Sequence, residues 1–424
     1  MKKLILTFLT ILLCCSFVFA EEASTVTPID YTDKIDNFAF LPTMSRYNAM
    51  GQSGLAVAGR MDTYYTNPAA LADGRVGVSF PSVAFTMYNV QKIVASKEQR
   101  DLIASILDGS AEDNAAATLG EKLIKNLGNG YNVLAKADVS FGLSIGSFGF
   151  GTNAQLKLHT LADGTSNLTN TTIIPEVNVA QTVALGLNLI KTNSVKLQAG
   201  VSAHFVYKAY LEGQNANTII KDGEIQDISS IMWTAPLMGG FAVPFDAGLT
   251  LTLADDALRF SVTANNLNGI YYMKSYTSTG DFINTMAKKE IIEEPEDHKT
   301  LASEDFKIST PWTLNAGFAF APNIIFNPTL SLDVVDLLGM CEEMKAEDFQ
   351  TQDLLLHLNA GVEVTLAVLN LRAGINRGYA SVGVGFGIIG IRVDATYGWQ
   401  EFGQEIGDKP VDSFTIRFNI GYDK

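Results

Sequence analysis

The sequence predicts an all-β chain: a transmembrane antiparallel β-barrel of about 14 strands with an N-terminal hatch segment and a short helical insertion. Three observations carry that expectation. An export signal opens the chain, apolar and polar residues alternate along most of its length, and no stretch after residue 20 supplies the roughly 20 mainly apolar residues of a spanning helix. The longest uncharged candidate, Val139 to Leu156, is interrupted by four glycines. At 424 residues a soluble chain usually splits into two or three domains, whereas strands that close on one another hold this length in one unit. The formal charge of −15, from 45 Asp and Glu against 30 Lys and Arg, excludes nucleic acid as a partner.

Met1-Lys2-Lys3, the apolar run Leu4 to Phe19, and Val18-Phe19-Ala20 before Glu21-Glu22 form a secretory signal with cleavage expected after Ala20. Loss of residues 1–20 removes Lys2 and Lys3, taking the charge from −15 to −17. It also removes Cys14 and Cys15, leaving Cys341 alone, so no intramolecular disulfide is expected. Lipidation at Cys14 or Cys15 is disfavoured, because Leu13 or Cys14 stands where such signals carry a small residue. The expected organisation is signal 1–20, extension and hatch 21–75, and barrel 76–424, with 91–132 as a helical outer loop.

The period of two is explicit in Leu197, Ala199, Val201, Ala203 and Phe205, set against Lys196, Gln198, Gly200, Ser202 and His204. It recurs in 258–265, 357–364, 391–399 and 414–422, and segments 139–146, 312–320 and 329–336 also fit. Alternation alone does not say which face is inside. Export, strands of ~10 residues and charges on the polar faces (Arg259, Asp333, Glu363, Arg372, Arg392, Asp394, Arg417) favour a barrel with its apolar face in lipid over a secreted sandwich. Phe414, Phe418 and Tyr422 on the last strand suit the barrel-assembly machinery as a partner during biogenesis.

Gly146-Ser147, Lys191–Ser194, Pro322-Asn323 and Asn370 read as tight turns; 91–132, 160–174, 211–229, 268–309, 337–353 and 400–412 read as long outer loops. Parity requires an even number of strands between two outer loops, yet 230–243, 247–254 and 258–267 make three. The count by eye is therefore one too high, and fourteen strands are expected. Within 91–132, Ser96-Lys97-Glu98-Gln99 is a capping-box start. Leu102, Ile103, Ile106 and Leu107 share one helical face, and Leu119, Leu123, Ile124 and Leu127 form a second stripe. Two short helices follow, packing either on the barrel rim or as a lid over an entrance for an apolar ligand.

Residues 38–74 follow neither period. They contain Ala49-Met50-Gly51-Gln52-Ser53-Gly54-Leu55-Ala56-Val57-Ala58 and then Tyr64-Tyr65-Thr66-Asn67-Pro68-Ala69-Ala70-Leu71-Ala72. Such a density of small residues permits close backbone packing, and Asn-Pro marks a turn, as suits a plug inside a barrel. From Ser45 to Gly74 the sequence resembles the FadL family of outer-membrane transporters for long-chain fatty acids and other hydrophobic compounds, whose hatch has the same GxxG run, short gap and Asn-Pro-Ala. It looks closest to the FadL-like paralogues of spirochaetes. The resemblance implies a fourteen-stranded barrel whose ligand enters between outer loops and leaves sideways through a gap in the wall. By that analogy Gly51, Ser53, Gly54, Asn67, Pro68 and Ala69 are the hatch residues. The helical insertion after the first strand departs from the family, and so leaves the substrate open.

Catalytic and metal chemistry find little support. Gly385-Phe386-Gly387-Ile388-Ile389-Gly390 matches a dinucleotide fingerprint, but it lies among strands, with Asp394 following too soon. Ser202 and His204 share a polar face without a third member at a recognisable spacing. Histidines 159, 204, 298 and 357 are too scattered for a metal site. The acidic run Glu293 to His298 reads as a solvated loop. Arg259, Arg372, Arg392 and Arg417 would either meet a ligand carboxylate or pair with Asp333, Glu363 and Asp394. The expected function is passive uptake of hydrophobic compounds, fatty acids first, by an outer-membrane protein without enzymatic activity or cofactor. Its partners would be the lipid bilayer and a hydrophobic small molecule. The alternative is a barrel that transports nothing and holds a partner protein for assembly or secretion.

Overall fold

The computed structural model describes residues 39–57, 62–192, 194–221, 223–226, 233, 235–288, 306–345, 350–402 and 406–423. The export signal, the extension 21–38 and the acidic run with His298 lie outside the described residues. Fourteen antiparallel strands form a closed barrel. They are β1 (Val76–Tyr88), β2 (Gly130–Ile145), β3 (Phe148–Ala162), β4 (Thr171–Lys191), β5 (Val195–Leu211), β6 in two halves (Leu237–Ala242 and Phe245–Leu253), β7 in two halves (Leu258–Leu267 and Ile270–Tyr276), β8 in two halves (Phe306–Ser309 and Thr313–Phe320), β9 (Thr329–Val334), β10 (Leu358–Leu366), β11 (Leu369–Asn376), β12 (Tyr379–Ile388), β13 (Ile391–Glu401) and β14 (Pro410–Asp423). The ring closes at β1, where Val83 pairs with Val139 of β2 on one side and with Phe418 of β14 on the other.

The two faces are inverted relative to a soluble protein. On β6, Leu249 is 51 % exposed while Thr250 and Thr252 are buried; on β5, Val201 and Phe205 face out while Gln198, Ser202 and His204 are buried. The apolar set therefore points away from the barrel and the polar set into it, as lipid on the outside requires.

β6, β7 and β8 break at one level of the wall, at Val243-Pro244, around Asn266–Gly269, and at Thr310-Pro311-Trp312. Proline has no N–H to give a ladder, and Asn266 and Asn268 hold left-handed φ angles of 61° and 62°. The gap is stitched by side chains: Asn266 Nδ2 donates to Thr310 O (3.0 Å), Thr310 Oγ1 (2.8 Å) and Pro311 O (2.9 Å). These breaks also settle the parity problem, since 230–243 and 247–254 contribute the two halves of one strand.

Three expectations need correction. The expected loop 268–309 contains strand residues at 270–276 and 306–309, because the break in β7 resembles the strand's end. The turn assigned to Asn370 lies instead at Ala367-Val368; Asn370 is in β11 with its amide oxygen accepting from Thr365 Oγ1 at 3.2 Å, so its polarity marks the lumen and not a turn. Pro322-Asn323 lies in a longer connection, 321–328.

At the opposite rim, α2 (Val90–Ala95), α3 (Lys97–Asp108) and α4 (Ala115–Asn126) follow α1 (Ser45–Ala49) of the hatch, so the insertion has three helices where two were expected. Ser96 caps α3 by accepting from Gln99 N at 3.3 Å. α4 buries Ala117 and Ile124 against Ile173, Ala216 and Ile220 at the rim. A further helix, α5 (Thr279–Ala287), packs Phe282 on Tyr207 and Tyr276 of the wall.

The inverted faces give a direct test. Val201→Arg places a charge on the outer face near the middle of β5, and should lower unfolding stability in bilayers by about 2–4 kcal/mol. Denaturant titration in lipid vesicles measures this; an unchanged midpoint would refute the assignment of faces.

Candidate functional site: the hatch and the lumen

The hatch is held by its backbone as much as by its side chains. Asp333 of β9 accepts two hatch amides on one oxygen, Gly54 N at 2.6 Å and Leu55 N at 3.0 Å, and the Ser53 hydroxyl meets Ser331. Gly51 has φ +66°, and a side chain there would collide with the Ile375 backbone, so glycine is required on two counts. Asn67 caps the 3-10 helix Pro68–Asp73 by accepting from Ala69 N at 3.0 Å, with Pro68 at the first helical position. Its Nδ2 donates to Leu55 O (2.7 Å) and to Thr250 Oγ1 of the wall (3.0 Å). Wall glycines make room for this turn: a β-carbon on Gly200 or Gly248 would overlap Pro68, Ala69 or Asn67. The six hatch residues named from sequence thus meet one another or the wall.

Ion pairs complete the docking. Arg46 Nη2 lies 2.9 Å from Glu363, Arg417 Nη1 lies 3.1 Å from Asp62, and Arg259 Nη1 lies 2.9 Å from Asp73. Burial pushes the Asp73 carboxyl up, but Arg259 and the Gln198 amide outweigh it and hold the group below the usual carboxylate value. Burial raises the Tyr65 phenol to about 12, so it stays neutral.

Above the hatch, the lumen holds an apolar cluster. Ile174, Val206, Tyr210, Met238, Tyr271, Met273 and Ile308 form one buried cluster, and Phe40, just ahead of the hatch, packs against it. Beside it Glu176 is shared by Lys208 (3.4 Å), Lys157 (3.7 Å) and His159 Nε2 (2.5 Å). Lys208 Nζ also stands 5.1 Å from the Tyr271 ring centroid and 5.9 Å from that of Tyr210. Sequence reasoning missed this group. The signal was present: Lys208 continues the polar register of β5 that runs from Lys196 to His204.

The lumenal arginines divide. Arg372 contacts Glu363 (2.6 Å) and Asp394 (2.7 Å), Arg392 contacts Asp394 (2.8 Å), and both gather near Arg417; Arg259 lies apart with Asp73. Of the lid candidates, Leu102 and Ile103 are half-buried and Ile106 is 37 % exposed; the Leu107 side chain lies outside the described residues. Leu102 faces a cleft between α3 and α4.

Ser202, His204 and Asp246 do come together, but Ser202 Oγ (3.1 Å) and Asp246 Oδ2 (2.8 Å) share Nε2, while Thr182 Oγ1 takes Nδ1 (2.9 Å). A relay needs the hydroxyl and the carboxylate on opposite nitrogens. His357 binds Val335 O and Glu343. Cys341 is exposed and free. Among the described residues no group of His, Cys, Asp and Glu is placed to hold a metal. Gly385 and Gly387 lie in β12, and no helix follows them among the described residues.

No protein-family model matches the chain, and no curated protein matches it. Solved structures do. The CymD monoaromatic hydrocarbon channel is 12 % identical, with 91 % of this chain and 98 % of that one covered at a TM-score of 0.45. The Pseudomonas putida toluene transporter TodX is 12 % identical over 91 % and 99 %, at 0.42. A Pseudomonas aeruginosa FadL homologue is 11 % identical over 95 % and 100 %, at 0.42. By their names these three are a hydrocarbon channel, a toluene transporter and a FadL homologue.

Two outcomes test the docking. Asp333→Leu leaves two hatch amides unpaired, costing about 1–3 kcal/mol each, and should expose 45–74 to protease in the folded barrel; equal protection in variant and wild type would refute the role. Because the Asp73 carboxyl is held low in the folded state, its contribution is complete at neutral pH and is lost as pH falls below about 4. Hatch protection should drop there, and Arg259→Gln should remove that pH dependence.

Proposed function

We propose that the protein lies in an outer membrane and passes hydrophobic compounds, long-chain fatty acids among them, passively through its lumen. One observation carries this reading: an apolar, aromatic cluster stands inside a barrel whose inner face is otherwise polar, with two ammonium groups sharing one carboxylate beside it. An acyl chain matches the cluster, and its carboxylate matches the surplus ammonium. Phe40 packs against the cluster, so a ligand takes its place there. Displacement of the adjoining hatch then opens the way below, and a shift in hatch population sets the rate.

The experiment is binding of oleate and of toluene to the detergent-purified barrel, read by probe displacement and native mass spectrometry. Phe40→Ala should tighten saturable binding several-fold by removing the competitor. Lys208→Met should weaken oleate about tenfold, or ~1.4 kcal/mol, and leave toluene unchanged. A Leu102→Asp/Ile106→Asp variant tests α3 as a lid, with weakened binding expected. A heat-modifiable, folded barrel that binds neither ligand would overturn the reading in favour of a barrel that holds a partner protein.

A further inference from the structure

At the short-turn end, hatch and wall border an open chamber of about 420 Å³. Arg46, Arg75, Arg392 and Arg417 line it, facing Asp62 and Asp394. Arg372 stands behind Asp394, its side chain fully buried and its Nη2 without a hydrogen-bond partner among the described residues. With Glu363 on Arg46 and Arg372, five guanidinium groups meet three carboxylates here. In a chain of formal charge −15 that is a local excess of positive charge, strengthened by the low dielectric of the wall.

The glycine run set aside as a nucleotide motif belongs to this chamber. A β-carbon on Gly385 would press on the Asp394 carboxylate and the guanidinium groups of Arg392 and Arg372, so glycine makes room for the array. Gly387 and Gly390 line the chamber itself.

Its other wall is apolar. Val78, Ile388, Ile391 and Tyr422 also line it, and they belong to the lipid-facing set, between 40 % and 53 % exposed. The chamber therefore crosses the rim from arginine-lined lumen to lipid face. A small inorganic anion would satisfy one half of it and an uncharged hydrocarbon the other.

We propose that this chamber binds the acidic head group of an amphiphile, with the head on Arg75, Arg392 and Arg417 and the chain along Val78, Ile388 and Tyr422. The site is separate from the outer apolar cluster and requires no conduction. A fatty-acid carboxylate and an anionic phospholipid phosphate share this chemistry.

The test uses the full barrel in a non-ionic detergent, with oleate, phosphatidylglycerol, oleyl alcohol and inorganic phosphate as probes for native mass spectrometry and calorimetry. Arg75→Gln/Arg392→Gln should weaken the acidic amphiphiles at least tenfold at one site, while Lys208→Met leaves that site intact. Arg75→Gln alone, exposed at the start of β1, keeps the test valid if the double variant loses its heat-modifiable fold. A fatty acid bearing a diazirine beside its carboxylate should label the peptides that contain Val78 and 388–391. Oleate without phosphatidylglycerol would identify a free acid as the ligand, and the reverse a membrane lipid. The proposal fails if affinity is the same in wild type and arginine variants, if oleyl alcohol binds as well as oleate, or if inorganic phosphate binds as tightly as either amphiphile.

Discussion

Lipid offers backbone amides no hydrogen-bond partner, and this constraint shapes the whole molecule. β1 is paired along both edges, to β2 and to β14, so the sheet has no free edge. The same demand explains where prolines are tolerated. Pro244 and Pro311 sit at the breaks in β6 and β8, where the ladder is already interrupted and Asn268 and Asn266 respectively supply side-chain bonds in its place. A break in three adjacent strands would otherwise expose unpaired groups at membrane depth.

Closure turns every second residue inward, and the inward set is polar and charged, so it must find partners inside the barrel. Some of it pairs within the wall, as Arg372 does with Asp394, and the hatch satisfies much of the rest. Asp333 receives two amides from 53–55, Thr250 binds Asn67, and Arg259, Glu363 and Arg417 gain counter-ions on the hatch. The hatch can approach closely enough only because both surfaces are small, with Ala69 and Gly51 on one and Gly200, Gly248 and Gly374 on the other. The small-residue run and the scattered strand glycines are two halves of one interface.

This explains which parts of the structure were legible in the sequence. Strand alternation and the Ser96 cap are local patterns that depend on backbone geometry alone, so the wall and α3 could be read directly. The broken strands could not, because Pro244 and Pro311 carry the same local signal as a loop; only the parity of fourteen exposed the surplus. The site was legible by halves. Asn67-Pro68 and Gly51 announce backbone conformations, and those they adopt. Glu176 and Lys208 announce only polarity; that they meet beside an apolar cluster depends on the pairing of β4 with β5, where Asn178 faces Lys208 in register.

The partners of the arginines depended on the hatch as well. Reading along strands offered Asp333, Glu363 and Asp394, yet Arg417 and Arg259 pair with Asp62 and Asp73, which no strand pattern contains. Asp333 is instead taken by hatch amides. The lower chamber and the hatch therefore share guanidinium groups: Arg417 lines the chamber and holds Asp62, while Arg46 lines it and holds Glu363. An acid bound in the chamber competes for the charges that dock the hatch, and by linkage a displaced hatch strengthens acid binding by the same factor. Lumenal charge in this barrel thus couples what the chamber holds to how firmly the plug above it is seated.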